Sequence, residues 1–384
     1  MSSPVPEEDT RLNAISPYFA MFPLSFPLGI LAERAVAGQR VLDPFCGRGT
    51  TNFAARLLGL ATVGIDASRV AVAATKARLV GPKPETLGEA AADLLNCREY
   101  EAECPEGEFW RWAYEESVLR QVCTLRKALL ESDLPLEIAE ALRGIVLGAL
   151  HGPVGRAKSS YFSNQCPRTY APKPRYATRF WKGRDLRPRH VDVRAIISER
   201  AARYYGKRLQ EVDRSVALGD SREEATVKDA CKSIGKIDWV ITSPPYYGLG
   251  TYVPDQWLRN WFLGGPSEVE YVSEHQMSHN GRVRFTTDLS KVWRYVGREC
   301  EEGARMVVRF GGIGRESPDS SLQVVRASIE GTGWVCGEVR DAGTAARGRR
   351  QATSFRGRQR AARGEMDVWA EWRPESATLA NGGG

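Results

Sequence analysis

Two short stretches of the chain carry the residue types that ligand chemistry needs at a turn. The first is Asp43-Pro44-Phe45-Cys46-Gly47-Arg48-Gly49-Thr50-Thr51. It sits between an apolar strand-like run and a helical stretch. Gly47 and Gly49 let the backbone adopt positive φ and pass close to a ligand, and the helix start behind them offers free N–H groups. The same glycines would also serve a tight structural turn. Asp66 follows at the end of the next strand-like run, where a carboxylate can take both hydroxyls of a ribose. No Lys follows the second glycine, which excludes a P-loop, and the spacing is not G-x-G-x-x-G. The second stretch is Thr242-Ser243-Pro244-Pro245-Tyr246, after the apolar run Ile237–Ile241. Two prolines remove two N–H donors. The Ser243 hydroxyl and the Pro244 carbonyl are then left as acceptors, with the flat ring of Tyr246 beside them. An ordinary Pro-Pro turn after a core strand is the plainer alternative.

The elements that must hold these turns follow from pattern. LGILAERAVA (28–37) reads as a short helix, RVLDPF as a buried strand, TVGID as the next strand and SRVAVAATKARL as an Ala-rich helix. This is the β-α-β start of a parallel sheet. The alternation then breaks. Val118, Val122, Leu125 and Leu129 recur at helical spacing, as do Ile138, Leu142, Ile145 and Ala149. Residues 152–190 are Pro-rich, basic and aromatic with little periodicity. A further helix spans about 191–211, and the sheet pattern resumes at SVALGD. Helices are expected near 223–233, 287–300 and 320–330, with strands at RMVVRFGG, WVCGEVRD and EMDVWAEWR. The expectation is an α/β fold with about seven strands, mostly parallel, interrupted between its second and third strands.

Charge is clustered along the chain. The 384 residues carry a net charge of +7. Residues 85–140 hold 14 acids against five bases, and 153–190 hold ten Lys or Arg against Asp185 alone. Six aromatics interleave that basic stretch: Tyr161, Phe162, Tyr170, Tyr176, Phe180 and Trp181. Residues 342–364 add seven Arg and no acid. One such run is as often a solvated face. Two, balanced by an acidic block, favour a single basic face, and aromatics among them suit stacking on bases. The composition excludes a disordered chain and a small stapled domain. No apolar run is long enough to span a membrane. With acids and no apolar h-region near its start, the sequence is expected to carry no secretion signal, and eight cysteines without paired spacing fit a reducing cytoplasm.

Together, DPFCGRGTT and a later strand ending in TSPPY resemble the amino-methyltransferases of DNA that use S-adenosylmethionine. FPLSFPLGILAERAVAGQRV resembles that family's leading segment, and Gly219-Asp220-Ser221 its contact to adenine. The resemblance covers about 16–80, 215–250 and, more loosely, 287–373. It implies a class I, Rossmann-like fold, with S-adenosylmethionine held by Asp43, Pro44, Phe45, Gly47, Gly49, Thr50, Thr51, Asp66, Asp220 and Ser221. It implies catalysis by Ser243, Pro244, Pro245 and Tyr246 on a base turned out of double-stranded DNA. Ser ahead of Pro-Pro-Tyr points to cytosine N4; Asp or Asn there is more usual for adenine N6. Cys166-Pro167 is the reverse of the order a cytosine-C5 enzyme needs. Arg48 replaces the family's usual small residue, which the turn tolerates because the side chain can point outward. Tyr18 and Phe19 are core aromatics or cofactor contacts.

The expected organisation is residues 1–95 and 213–375 as two parts of one methyltransferase domain, 96–212 as an inserted target-recognition subdomain, and 376–384 as a disordered tail. DNA contact is assigned to Arg168, Lys173, Arg175 and Arg179, with Asn164 and Gln165 near base edges, and to Arg356 and Arg358 in the second basic loop. A cognate restriction endonuclease is a possible partner. His275 and His279 lack a third ligand, so no metal is expected. An N6-adenine enzyme, an RNA amino-methyltransferase with the same loops, and a catalytically inactive DNA-binding module stay open as alternatives.

Overall fold

The computed structural model describes residues 5–16, 22–152, 160–163, 173–245, 256–269, 281–311, 318–344 and 364–374. Their core is a seven-stranded sheet: β1 (Arg40–Asp43), β2 (Ala61–Asp66), β3 (Arg214–Leu218), β4 (Ile237–Thr242), β5 (Cys300–Gly311), β6 (Trp334–Thr344) and β7 (Gly364–Trp372). The order is β3-β2-β1-β4-β5-β7-β6. The first five strands run parallel, and β7 is antiparallel to both of its neighbours. This is the class I, Rossmann-like methyltransferase arrangement that the sequence led us to expect.

Parallel strands buried on both faces read as continuous apolar runs, and β1 shows why. Val41 packs on one face with Phe26, Ala54, Trp239 and Ile241, while Leu42 turns to the other with Val63, Val240 and Val308. The first face is covered by α1 (Ser25–Arg34), α2 (Thr50–Leu57) and α3 (Arg69–Leu79). The second is covered by α10 (Glu224–Cys231), α12 (Arg282–Arg298) and α13 (Pro318–Ile329).

Between β2 and β3 the chain builds α4 (Pro84–Asn96), α5 (Glu108–Ala113), α6 (Glu116–Glu131), α7 (Leu136–Ala149), α8 (Pro174–Lys182) and α9 (Val193–Tyr205). Both helices expected from apolar spacing are present as α6 and α7. Asp192 caps α9 by accepting from Ala195 N at 2.9 Å. The cluster docks on the sheet through α7 against α3, and α4 packs on α9. Gly144 permits this approach, since a Cβ there would lie 2.3 Å from Ala77 Cβ. α11 (Trp257–Phe262) adds Trp257, Trp261 and Phe262 to the same core.

The basic stretch departs from expectation. Its composition suggests a loop that buries poorly, yet residues 174–182 form α8, and Trp181, Ala177 and Phe162 are fully buried. Trp181 packs on Phe109 with ring centroids 5.7 Å apart. The physical reason is amphipathicity: Ala177, Thr178 and Trp181 share one helical face, while Arg175 and Arg179 stand exposed on the other.

Candidate functional site

The pairing of β1 with β4 places Val41 beside Trp239 and Leu42 beside Val240. The turns that follow both strands therefore emerge next to one another at the carboxyl edge of the sheet, where open α/β sheets bind ligands. Two hydrogen bonds join these turns. Thr242 Oγ1 donates to Asp43 Oδ1 at 2.6 Å, and Thr51 Oγ1 donates to the Ile241 carbonyl at 3.0 Å. Ser243 and Pro245 are half-buried just beyond, and Pro244 is buried. Tyr246 lies outside the described residues.

The Gly-rich turn is tied down on every side. Cys46 N donates to the Ile65 carbonyl at 3.0 Å, and Gly47 N to Asp66 Oδ2 at 2.9 Å. Thr75 Oγ1, from α3, donates to the Gly47 carbonyl at 3.1 Å. Ser221 Oγ, past β3, donates to the Pro44 carbonyl at 2.6 Å, and Phe45 meets Trp293 edge to face. Gly47 and Gly49 have φ of 53° and 79°, the left-handed values that favour glycine. At Gly49 the close neighbour is protein: a Cβ would sit 2.6 Å from Thr75 Cγ2. Arg48 does not point outward. It is buried, donating from Nε to Thr50 Oγ1 at 3.4 Å and from Nη2 to Asn13 Oδ1 at 3.1 Å. Arg78 holds the same leading segment through the carbonyls of Asn13 and Ser16. A guanidinium with hydroxyl and amide oxygens to meet is accommodated inside, where the sequence left room for an outward path.

The three strand-end carboxylates differ. Asp43 is fully buried, and its Oδ1 accepts from Phe45 N as well as Thr242, while Oδ2 has no hydrogen-bond partner among the described residues. Burial pushes its pKa up to about 7. Asp66 accepts from Gly47 N and, through Oδ1, from Ser68 N at 2.8 Å, and burial raises it to about 6. Two bonds leave a carboxylate with further lone pairs, so helix entry and ribose contact are compatible at Asp66. Asp220 is gripped by Arg222, whose Nε lies 3.0 and 2.9 Å from its two oxygens, and Arg222 also reaches Asp288 Oδ2 at 3.2 Å. Ser221 spends its proton on Pro44.

Sequence reasoning missed Thr75, Thr242 and Ser68. Thr75 is one polar residue in an Ala-rich helix and gave no signal; Thr242, directly ahead of Ser-Pro-Pro, did. Lys173, Arg175 and Arg179 are exposed at α8. Arg168, Arg356, Arg358, Asn164, Gln165, Cys166, Pro167, Tyr18, Phe19, His275 and His279 lie outside the described residues, as does the tail from 375. Among the described residues no cluster of His, Cys, Asp or Glu is arranged for a metal ion, and no helix is long and apolar enough to cross a membrane.

Comparison with known proteins places this site in context. The DNA methylase family, N6_N4_Mtase, matches residues 3–77, a stretch that contains the whole Gly-rich turn and Asp66. No curated protein matches the chain. Among solved structures, the rRNA methyltransferase AviRa from Streptomyces viridochromogenes is 12% identical with a TM-score of 0.39, covering 99% of this chain and 98% of its own. A SAM-dependent methyltransferase from Agrobacterium tumefaciens is 12% identical with a TM-score of 0.31, covering 92% and 63%. Likeness at that level bears no weight for substrate.

Proposed function

We propose that the protein is a DNA amino-methyltransferase that moves the methyl group of S-adenosylmethionine to N4 of cytosine in a specific sequence, with the target base turned out of the duplex. The observation that carries this reading is the hydrogen-bonded junction between the Asp43–Thr51 turn and Thr242-Ser243-Pro244. The match of residues 3–77 to DNA methylases supports DNA as the substrate class.

The residues present fit the cofactor. Asp43 Oδ2 is a buried acceptor without a partner among the described residues and suits a cationic group. Asp66 has lone pairs to spare for ribose hydroxyls. When bound, S-adenosylmethionine supplies an electrophilic sulfonium methyl. The exocyclic amino nitrogen of a base is a poor nucleophile because its lone pair is delocalised into the ring. The Ser243 hydroxyl and Pro244 carbonyl accept its hydrogens and favour a pyramidal nitrogen with the lone pair freed. Tyr246 stacks on the extruded base. The contributions are position and electrostatics, with no covalent link to the enzyme. Ser243 ahead of the prolines supports cytosine over adenine. Lys173, Arg175 and Arg179, with Arg168, Arg356 and Arg358, supply phosphate contacts.

Expression in a host lacking DNA methylation, followed by mass spectrometry of its nucleosides, tests the reading. We expect 4-methylcytosine in DNA, lost with Ser243→Ala. 6-Methyladenine as the only product would transfer the assignment to adenine. A product confined to RNA would transfer it to RNA, and cofactor binding without any methylated nucleic acid would leave a binding module.

A further inference from the structure

Where α7 ends and α11 begins, the structure holds a polar cluster that the reading above does not use. His151 follows α7 by two residues and heads the basic stretch. Gln256 directly precedes α11, on the return from the Ser243-Pro244-Pro245 turn. Arg259 ties the two segments together: its Nε donates to the Leu147 carbonyl at 3.0 Å and its Nη1 to Gln256 Oε1 at 2.9 Å. α11 also packs on α3, the helix that begins just past Asp66. His151 and Gln256 are only 5% and 4% exposed. Nevertheless, Nε2 of each has no hydrogen-bond partner among the described residues. Burial, with the Arg259 charge nearby, holds His151 well below the usual imidazole range, so the ring is neutral at pH 7. Buried polar groups are almost always paired, and an unmet one calls for an explanation. Here two such groups flank one arginine, Arg259, which bonds Gln256 and whose charge acts on His151.

We propose that His151 and Gln256 form a subsite for the target nucleobase, donating hydrogen bonds to the two adjacent acceptors of cytosine, O2 and N3. The Gln256 amide is a donor at this atom, and the His151 ring is one in its Nε2–H tautomer. Adenine presents N1 and a C–H at the corresponding places, so one donor would stay buried and unmet. A site built to pair with a polar edge rejects the analogue that lacks it. Base choice would then rest on this pair in addition to Ser243. The inference rests on the amino-methyltransferase reading of the site.

The test uses the full chain expressed in the methylation-free host, and reads the ratio of 4-methylcytosine to 6-methyladenine in its DNA. Gln256→Glu keeps the acceptor for Arg259 and removes the donor; His151→Phe removes the donor and keeps a ring; His151→Asn restores a donor. We expect the ratio to fall roughly tenfold to a hundredfold in the first two variants, with partial recovery in the third. Cofactor affinity by calorimetry should be unchanged in all of them. Reduced total methylation at an unchanged ratio would overturn the subsite and leave a structural cluster, one satisfied by water included. A wild-type product of 6-methyladenine alone would overturn it while leaving the methyltransferase reading intact. Absence of any methylated nucleic acid from the wild type would remove both.

Discussion

At the ends of β1 and β2, the carboxylates assigned to the cofactor, Asp43 and Asp66, are hydrogen-bonded to backbone N–H groups of the turns around them. On α8, by contrast, the basic residues stand exposed while Trp181 fills the core from the opposite face. In the first region ligand contact and folding draw on the same atoms. In the second they are separated by the helix itself. Substitutions should therefore damage fold and ligand binding together at the sheet edge, and one without the other on α8.

The largest effect tests the inner face of α8. Trp181→Ala should cost about 3–5 kcal/mol in denaturant unfolding, whereas Arg179→Ala, two residues away, should stay within about 0.5 kcal/mol. Next comes the turn. Gly49→Val meets both the left-handed φ and the Thr75 side chain, so we expect a loss of about 2–4 kcal/mol of stability alongside a fall in cofactor affinity. Adding Thr75→Ala should recover part of it by removing the contacts at 2.6 and 2.7 Å. A fully stable Gly49→Val protein with only its affinity reduced would mean that the cofactor, and not Thr75, sets this position.

Smaller effects separate the carboxylates. Asp66→Ala should weaken cofactor binding about tenfold to a hundredfold by calorimetry. Asp220→Ala, whose carboxylate is already taken by Arg222, should change it by less than about fivefold. Asp43 and Asp66 titrate near 7 and 6, above the ordinary value of 3.8. The folded protein thus holds these protons more tightly than the unfolded chain does. Their contribution to stability is full below about pH 4 and is lost as pH rises through 6 and 7. A cationic ligand favours the carboxylates, so cofactor affinity should rise between about pH 5.5 and 8. Asp43→Asn should flatten that rise and stabilise the cofactor-free protein above pH 7. The smallest effect on the fold belongs to the outer face of α8. The triple change Lys173→Ala, Arg175→Ala, Arg179→Ala should leave thermal stability within about 2 °C. It should make the salt dependence of DNA binding shallower, by about 0.9 in log–log slope for each phosphate that is no longer neutralised.

The same contrast explains what the sequence made legible. The turns were readable because their chemistry restricts residue types: glycines at positive φ, an acid at a strand end, prolines that strip donors. The sheet was readable because strands buried on both faces leave apolar runs. Arg48 was not, since its burial depends on Asn13, a residue distant in sequence that the fold brings back over the turn. Trp181 was hidden by the charges around it, and α8 is too short for its Ala177, Thr178 and Trp181 face to stand out as periodicity. Asp220 could have been read more sharply, because Arg222 lies only two residues away.

β3 occupies the outer edge of the sheet, with Thr62 of β2 opposite Arg214 and Asp66 opposite Leu218. Between those partners lie α3, which covers the sheet, and the helical insertion. A strand whose pairing waits on the closure of so long a segment is expected to join late in folding, after β2, β1, β4 and β5 have had the chance to associate. The entropic penalty of that closure grows only slowly, by about 0.6 kcal/mol for each doubling of length. The insertion can thus lengthen, shrink or be exchanged over evolutionary time at little thermodynamic penalty, leaving the reaction centre to be inherited unchanged.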